Sequence, residues 1–138
     1  MGKLEVACWA VVYTWVNDEI KDVGIHSLNG DYGFPKGHKK DLETEVETAL
    51  REIKEEVGVD VTIVYGFREI IEYTVKKHIP KQSIYYLATY QGQELVRQED
   101  EVESIELLNY EEAYERLTYK SNKALLSKAH EYIKNNVN

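Results

Sequence analysis

An α/β fold with a mixed sheet is predicted from three observations: a long apolar, β-branched opening run with a returning partner, an acidic amphipathic helix mid-chain, and two helical segments at the end. Leu4 to Trp15 reads as the first strand, Asn17-Asp18 as a turn, and Ile20 to Leu28 as the hairpin partner. Asn29-Gly30 is a stronger turn signal, and the chain then runs through Asp31 and Tyr32 into a loop from Gly33 to His38. From Glu43 to Val57 the apolar residues Val46, Ala49, Leu50, Ile53 and Val57 recur at spacings of three and four, which predicts one buried helical stripe; Gly58 supplies its stop. Asp60 to Glu69, Ile70 to Val75 and Ser83 to Tyr90 are further strands, with a basic loop around Pro80 between the last two, and Ser104 to Leu108 is a shorter one. The final helix is expected to begin near Ser121 as N-cap and to bury Leu125, Leu126, Ala129 and Ile133.

Composition narrows the class. The 138 residues are 43% hydrophobic and 30% charged, enough for a core, and no linker, repeat or long apolar stretch interrupts them, so a single domain over residues 1–138 without a membrane span is expected. Cys8 lies alone in the apolar opening strand, so an internal disulfide is excluded and a reducing cytoplasm is the expected compartment. A net charge of −8 argues against nonspecific binding to nucleic acid, leaving phosphate recognition to local basic clusters. Two such clusters exist: Lys36, His38, Lys39 and Lys40 before the acidic helix, and Lys76, Lys77, His78 and Lys81 around Pro80. The sequence is silent on oligomeric state.

The acidic helix carries the chemistry. Glu52, Glu55 and Glu56 lie within about one turn, so three carboxylates converge on one patch, with Arg51 able to offset their repulsion through Glu47 or Glu55. A hard divalent cation, Mg²⁺ or Mn²⁺, makes such a cluster tolerable. A solvated Glu/Lys face is the ordinary meaning of charge on a helix. Here, however, Gly37, Glu43, Arg51, Glu52, Glu55, Glu56 and Gly58 stand at fixed spacings with apolar Ile53 and Val59. A chance match to that whole pattern is rarer than roughly one in a million.

The segment resembles the Nudix box, Gly-x5-Glu-x7-Arg-Glu-U-x-Glu-Glu-x-Gly-U with U a bulky apolar residue, with every specified position present. That resemblance implies a Nudix-type α/β/α sandwich, a mixed β-sheet between helices. It also implies metal-dependent attack of water on a diphosphate linked to a nucleoside. Phe34-Pro35-Lys36-Gly37-His38, Tyr85-Tyr86-Leu87-Ala88 and Tyr110-Glu111-Glu112-Ala113 are similar to the asymmetric dinucleoside tetraphosphate hydrolase branch, whose substrate diadenosine tetraphosphate would yield ATP and AMP. Leu42, Trp9 and Leu107 depart from that branch, which commonly has Gly, Gly and Trp there. A different Nudix substrate class, such as an RNA 5′ end, a nucleotide sugar or a diphosphoinositol polyphosphate, or a noncatalytic nucleotide-binding module, stays open.

On this resemblance Glu52, Glu55, Glu56 and a carbonyl at Lys36-Gly37 are expected to hold metal, with Glu52 or Glu101 of the acidic run Gln98 to Glu101 as base. Glu43 and Arg51 are expected to lock loop to helix, Lys36, His38 and Lys81 to steady outer phosphates, and Tyr73, Tyr86 and Tyr119, among eleven tyrosines, to lie near an adenine. His26 and His130 have no motif context.

Overall fold

The computed structural model describes residues 4–34, 37–75 and 79–137, the side chains of 73–75 and 79–80 excepted. Two strands open the chain, β1 (Glu5–Val16) and β2 (Glu19–Ser27), followed by the short β3 (Tyr32–Gly33) and β4 (Gly37–His38). Helix α1 (Glu45–Val57) precedes β5 (Thr62–Val75), β6 (Ile79–Thr89) and β7 (Val102–Leu108), and α2 (Tyr110–Arg116) and α3 (Lys120–Asn136) close the chain.

The β1–β2 turn has positive φ at Asn17 (50°) and Asp18 (64°), which these short polar side chains tolerate, and Val16 pairs directly with Glu19. The sheet runs β3-β2-β1-β6-β5, with β4 on β1 and β7 on β2. Only β1 and β6 pair in parallel among these described ladders, so the sheet is mixed. Central β1 is covered on both faces: Cys8 to Tyr13 are each at most 1% exposed, which is why that run is continuously apolar. Cys8 is free and buried, and burial pushes its thiol up to about 11.

Alternation along β6 separates the two layers. The Tyr86 hydroxyl reaches Glu45 on α1, whereas its neighbour Tyr85 packs edge-on against Phe34. Helix α3 buries Leu125, Leu126, Ala129 and Ile133, the stripe expected of it.

Four expectations need correction. Helix α1 starts at Glu45, not Glu43, because Thr44 and Glu47 form a reciprocal capping box that leaves Glu43 in the preceding loop. The two strands expected between Asp60 and Val75 are one, Thr62–Val75; its pairing with β6 is irregular between Ile63 and Arg68, where Gly66 has φ +109°. Pro80 and Lys81 belong to β6 instead of a loop, opposite Thr74 and Tyr73. The α3 N-cap is Tyr119, with no side-chain cap bond, rather than Ser121. Lys36, Pro35, Lys76, Lys77 and His78 lie outside the described residues. Among those described, no helix is long and apolar enough to cross a membrane.

Candidate active site

The site is assembled on the inward edge of α1. Strand β4 pairs with β1 through Cys8–Gly37 and Ala7–His38, which brings Gly37 against the helix. A Cβ on Gly37 would overlap the Glu52 carboxyl group, so the glycine is required by a side chain fifteen positions away.

Arg51 is the hub. Its Nε and Nη2 grip Glu43 Oε2 and Oε1 at 2.6 and 2.9 Å, Nη2 reaches the His38 carbonyl at 3.1 Å, and Nη1 contacts Glu52 Oε2 at 2.6 Å and Glu55 Oε1 at 3.1 Å. Glu43 also accepts from the Lys40 N–H and the Thr48 hydroxyl, both at 3.0 Å. The Arg51 guanidinium, then the Lys40 amide, hold the Glu43 carboxyl down to about 2. The same carboxylates raise Arg51 above its ordinary value. Glu47, one of the two helical partners expected for Arg51, instead closes the capping box; Glu55 is the partner the structure selects.

Glu56 differs from its neighbours. It is 4% exposed, and burial first, then its contact with Glu101, raise its pKa well above the carboxylate range; the charges of Glu101, Glu52 and Glu55 add to that. Glu101 arrives through backbone bonds onto the helix end: Val96 N–H donates to the Val57 carbonyl at 2.9 Å and Gln98 N–H to the Glu56 carbonyl at 3.2 Å. Glu101 N–H then bonds the Gln98 carbonyl at 3.1 Å, and its own carbonyl accepts from Leu28 N–H at 3.1 Å. Glu99 and Asp100 remain exposed.

These groups match a hard cation chemically. Glu56 lies near Glu101, Glu52 and Glu55, the last two bonded to Arg51, and burial with these neighbours raises its pKa. Glu52 and Glu55 are meanwhile turned onto Arg51, so no three acidic, His or Cys side chains among the described residues already converge on one metal-sized point. The donor set fits Mg²⁺ or Mn²⁺, with the second oxygen of Glu52 lying against Gly37.

His38 and Lys81 are brought together by Glu5, whose Oε1 lies 3.2 Å from His38 Nε2 and 3.4 Å from Lys81 Nζ. Tyr119 is half exposed and donates to Asp31 Oδ2 at 2.8 Å on the rim of a cavity of about 670 Å³. Phe34, Tyr85 and Asn122 also line it; spacing carried no signal for Tyr85 or Asn122, since their convergence depends on β6 meeting the start of α3. Tyr86 must be corrected: 9% exposed, with its hydroxyl 2.6 Å from Glu45 Oε1, it faces α1 and presents no free ring face to a base. The Tyr73 backbone pairs with Lys81, while its side chain lies outside the described residues.

The cavity is lined by none of Glu52, Glu55, Glu56 and Glu101. Ser27 lines it, and its chain neighbour Leu28 donates to the Glu101 carbonyl.

Residues 20–129 match the family model of the NUDIX domain. The chain is 33% identical over 123 residues, 85% of its length and 83% of the relative's, to the asymmetrical bis(5′-nucleosyl)-tetraphosphatase of Sus scrofa. It is 36% identical over 103 residues, covering 72% of this chain and 69% of the other, to the same enzyme of Mus musculus. A solved structure of a C. elegans Ap4A hydrolase binary complex superposes with a TM-score of 0.85 at 25% identity, over 95% of this chain and 98% of that one. A box complete at every position, a mixed sheet between helices and relatives of this kind together establish that the chain belongs to the Nudix family of hydrolases.

Proposed function

We propose that this domain hydrolyses dinucleoside polyphosphates, diadenosine tetraphosphate to ATP and AMP, in a reaction requiring Mg²⁺, with Mn²⁺ as a substitute. The observation that carries the reading is an aromatic-rimmed cavity tied to the acidic site through Ser27, which lines the cavity, and its neighbour Leu28, whose N–H bonds the Glu101 carbonyl. The tetraphosphatase relatives support the substrate, and family members generally use divalent metals.

Glu52, Glu55, Glu56 and the Gly37 end of the loop would hold the metal. When bound, it offsets charge building on the phosphate and makes coordinated water more acidic. Glu101, in contact with buried Glu56, accepts the proton of the attacking water, with Glu52 as the other base within the cluster. Water adds to phosphorus, the phosphoanhydride bond breaks, and the departing phosphate carries its electron pair. Arg51 keeps Glu43, His38 and α1 in fixed relation, since a misplacement of about 1 Å can cost roughly a hundredfold in rate. Lys81 and His38 steady outer phosphates after exchanging Glu5 for them, and Tyr119 stacks on a base.

The test compares a long with a short substrate. Tyr119→Ala and Lys81→Ala should each lower kcat/KM on diadenosine tetraphosphate by about tenfold while changing ADP-ribose hydrolysis less than about threefold, because remote binding energy positions the reacting centre. Raising the ionic strength should weaken Lys81→Ala less than the parent. Equal losses on both substrates would overturn the tetraphosphate assignment.

A further inference from the structure

At the first turn of α1 three side chains meet whose purpose the chemistry above does not require. Arg68 Nε and Nη2 form a two-pronged bond to Glu45 Oε1 and Oε2, both at 2.9 Å, and the Tyr86 hydroxyl donates to the same Oε1 at 2.6 Å. Arg68, more than Tyr86, lowers the pKa of Glu45. Glu45 is the first residue of α1, Arg68 sits on β5 and Tyr86 on β6, so the start of the helix is tied to two strands at once. Arg68 reaches this place because β5 is irregular just before it: Gly66 has φ +109°, and regular pairing resumes at Arg68–Tyr86.

The position of Glu45 matters for the site because of helical periodicity. At about 100° per residue, Glu52 and Glu56 fall within roughly 20° of Glu45, two and three turns along. Exposure falls along this stripe, from 29% for the Glu45 side chain to 14% for Glu52, with Glu56 4% exposed as a whole residue. A rotation of α1 by about 10° would displace carboxylates roughly 6 Å from the axis by about 1 Å. A shift of that size can cost on the order of a hundredfold in rate. At the other end, the Val57 and Glu56 carbonyls are held by Val96 and Gln98, and mid-helix Arg51 binds a loop. The Arg68 fork is the polar tie at the N-terminal end, and an Arg–carboxylate fork restrains rotation as a single-point contact does not.

We propose that Arg68 is a positioning residue for the hydrolytic site, acting through Glu45 and Tyr86 to set the rotation of α1 and with it the placement of Glu52 and Glu56. This rests on the assignment of those carboxylates to metal binding. The Arg68–Glu45–Tyr86 set touches no phosphate and takes no part in proton transfer.

The experiment measures Mn²⁺ binding to the substrate-free protein by electron paramagnetic resonance, together with kcat, KM and melting temperature. Arg68→Gln should weaken Mn²⁺ binding about fivefold and lower kcat about tenfold with KM within about twofold. Arg68→Lys, which keeps charge but not the fork, should restore only part of the loss. Glu45→Gln should match Arg68→Gln, and the double variant should be no worse than either single. Lys54→Gln, which removes an exposed ion pair on the same helix, is the control without effect. Unchanged Mn²⁺ affinity and kcat in folded Arg68→Gln, or additive losses in the double variant, would overturn the inference. Should Arg68→Gln not fold, Tyr86→Phe must show a twofold to threefold weakening of Mn²⁺ binding; an unchanged value overturns the inference. Parent protein that binds no Mn²⁺ would overturn the proposed function itself, and this inference with it.

Discussion

Glu56 and Asp22 are both buried acids whose pKa is raised chiefly by burial, yet the fold treats them in opposite ways. Asp22 on β2 is 1% exposed and answered from within the chain: His130 on α3 places Nε2 2.7 Å from its Oδ2, and the Tyr110 ring lies against His130 at 4.7 Å. Glu56 faces further carboxylates, Glu101, Glu52 and Glu55, and each of those contacts raises its pKa instead of lowering it. Where the chain supplies a hydrogen-bonding partner, the buried acid ties elements together. Where it withholds one, the acid sits among like charges, the arrangement that the proposed metal site would use.

The sharpest way to break this comparison is to remove one charge at each place. Glu56→Gln keeps shape and helix propensity, so kcat should fall on the order of a thousandfold while the melting temperature without metal stays level or rises. Turnover near the parent value at limiting Mg²⁺ would show that Glu56 holds no metal. His130→Ala should do the reverse: stability falls by about 3–5 kcal/mol, because Asp22 is left buried without its partner, and kcat of the folded fraction at 20 °C is unchanged. Denaturant titration reads the loss. Asp22→Asn added to His130→Ala should recover most of it, since the uncompensated charge is gone; a double variant as unstable as the single would assign the effect to lost packing against Tyr110.

A smaller effect lies in the pH dependence of stability. A carboxyl whose folded pKa lies above its unfolded value contributes stability below the unfolded value and loses it as pH rises through the folded one. Glu56 is shifted upward in this way, so the metal-free melting temperature should decline between about pH 5 and pH 9 by a few degrees, and Glu56→Gln should flatten that slope. Saturating Mg²⁺ should reverse the decline, because the cation binds the ionised carboxylates. Glu43 runs the other way: its carboxyl is held down to about 2, so the stability it contributes is present above its unfolded value and fades only as pH falls towards that number. A parent and a Glu56→Gln profile of equal slope would remove Glu56 as the source.

The local parts are legible in the order of residues. The helix stripe, the positive-φ turn at Asn17-Asp18 and the Gly58 stop follow from periodicity and backbone sterics within a few residues, and the box residues were identifiable because their spacing is constrained by one helix and one loop. Which of those side chains meet depends on the folded chain. Arg51 chose Glu43, eight positions away, over Glu47 because the capping box had already taken Glu47. Glu101 reached Glu56 because the 96–98 segment bonds to the carbonyls at the helix end, a contact no window of sequence contains. Tyr86 and Tyr85 look alike in sequence, but strand alternation sends one hydroxyl to Glu45 and the other ring to the cavity. His130 carried no motif because its partner, Asp22, is 108 positions away on another element. Propensity and steric rules act between neighbours along the chain, whereas charge pairing and burial act between neighbours in space. The sheet order that brings β2, β6 and the ends of α1 and α3 together supplied that second kind of information.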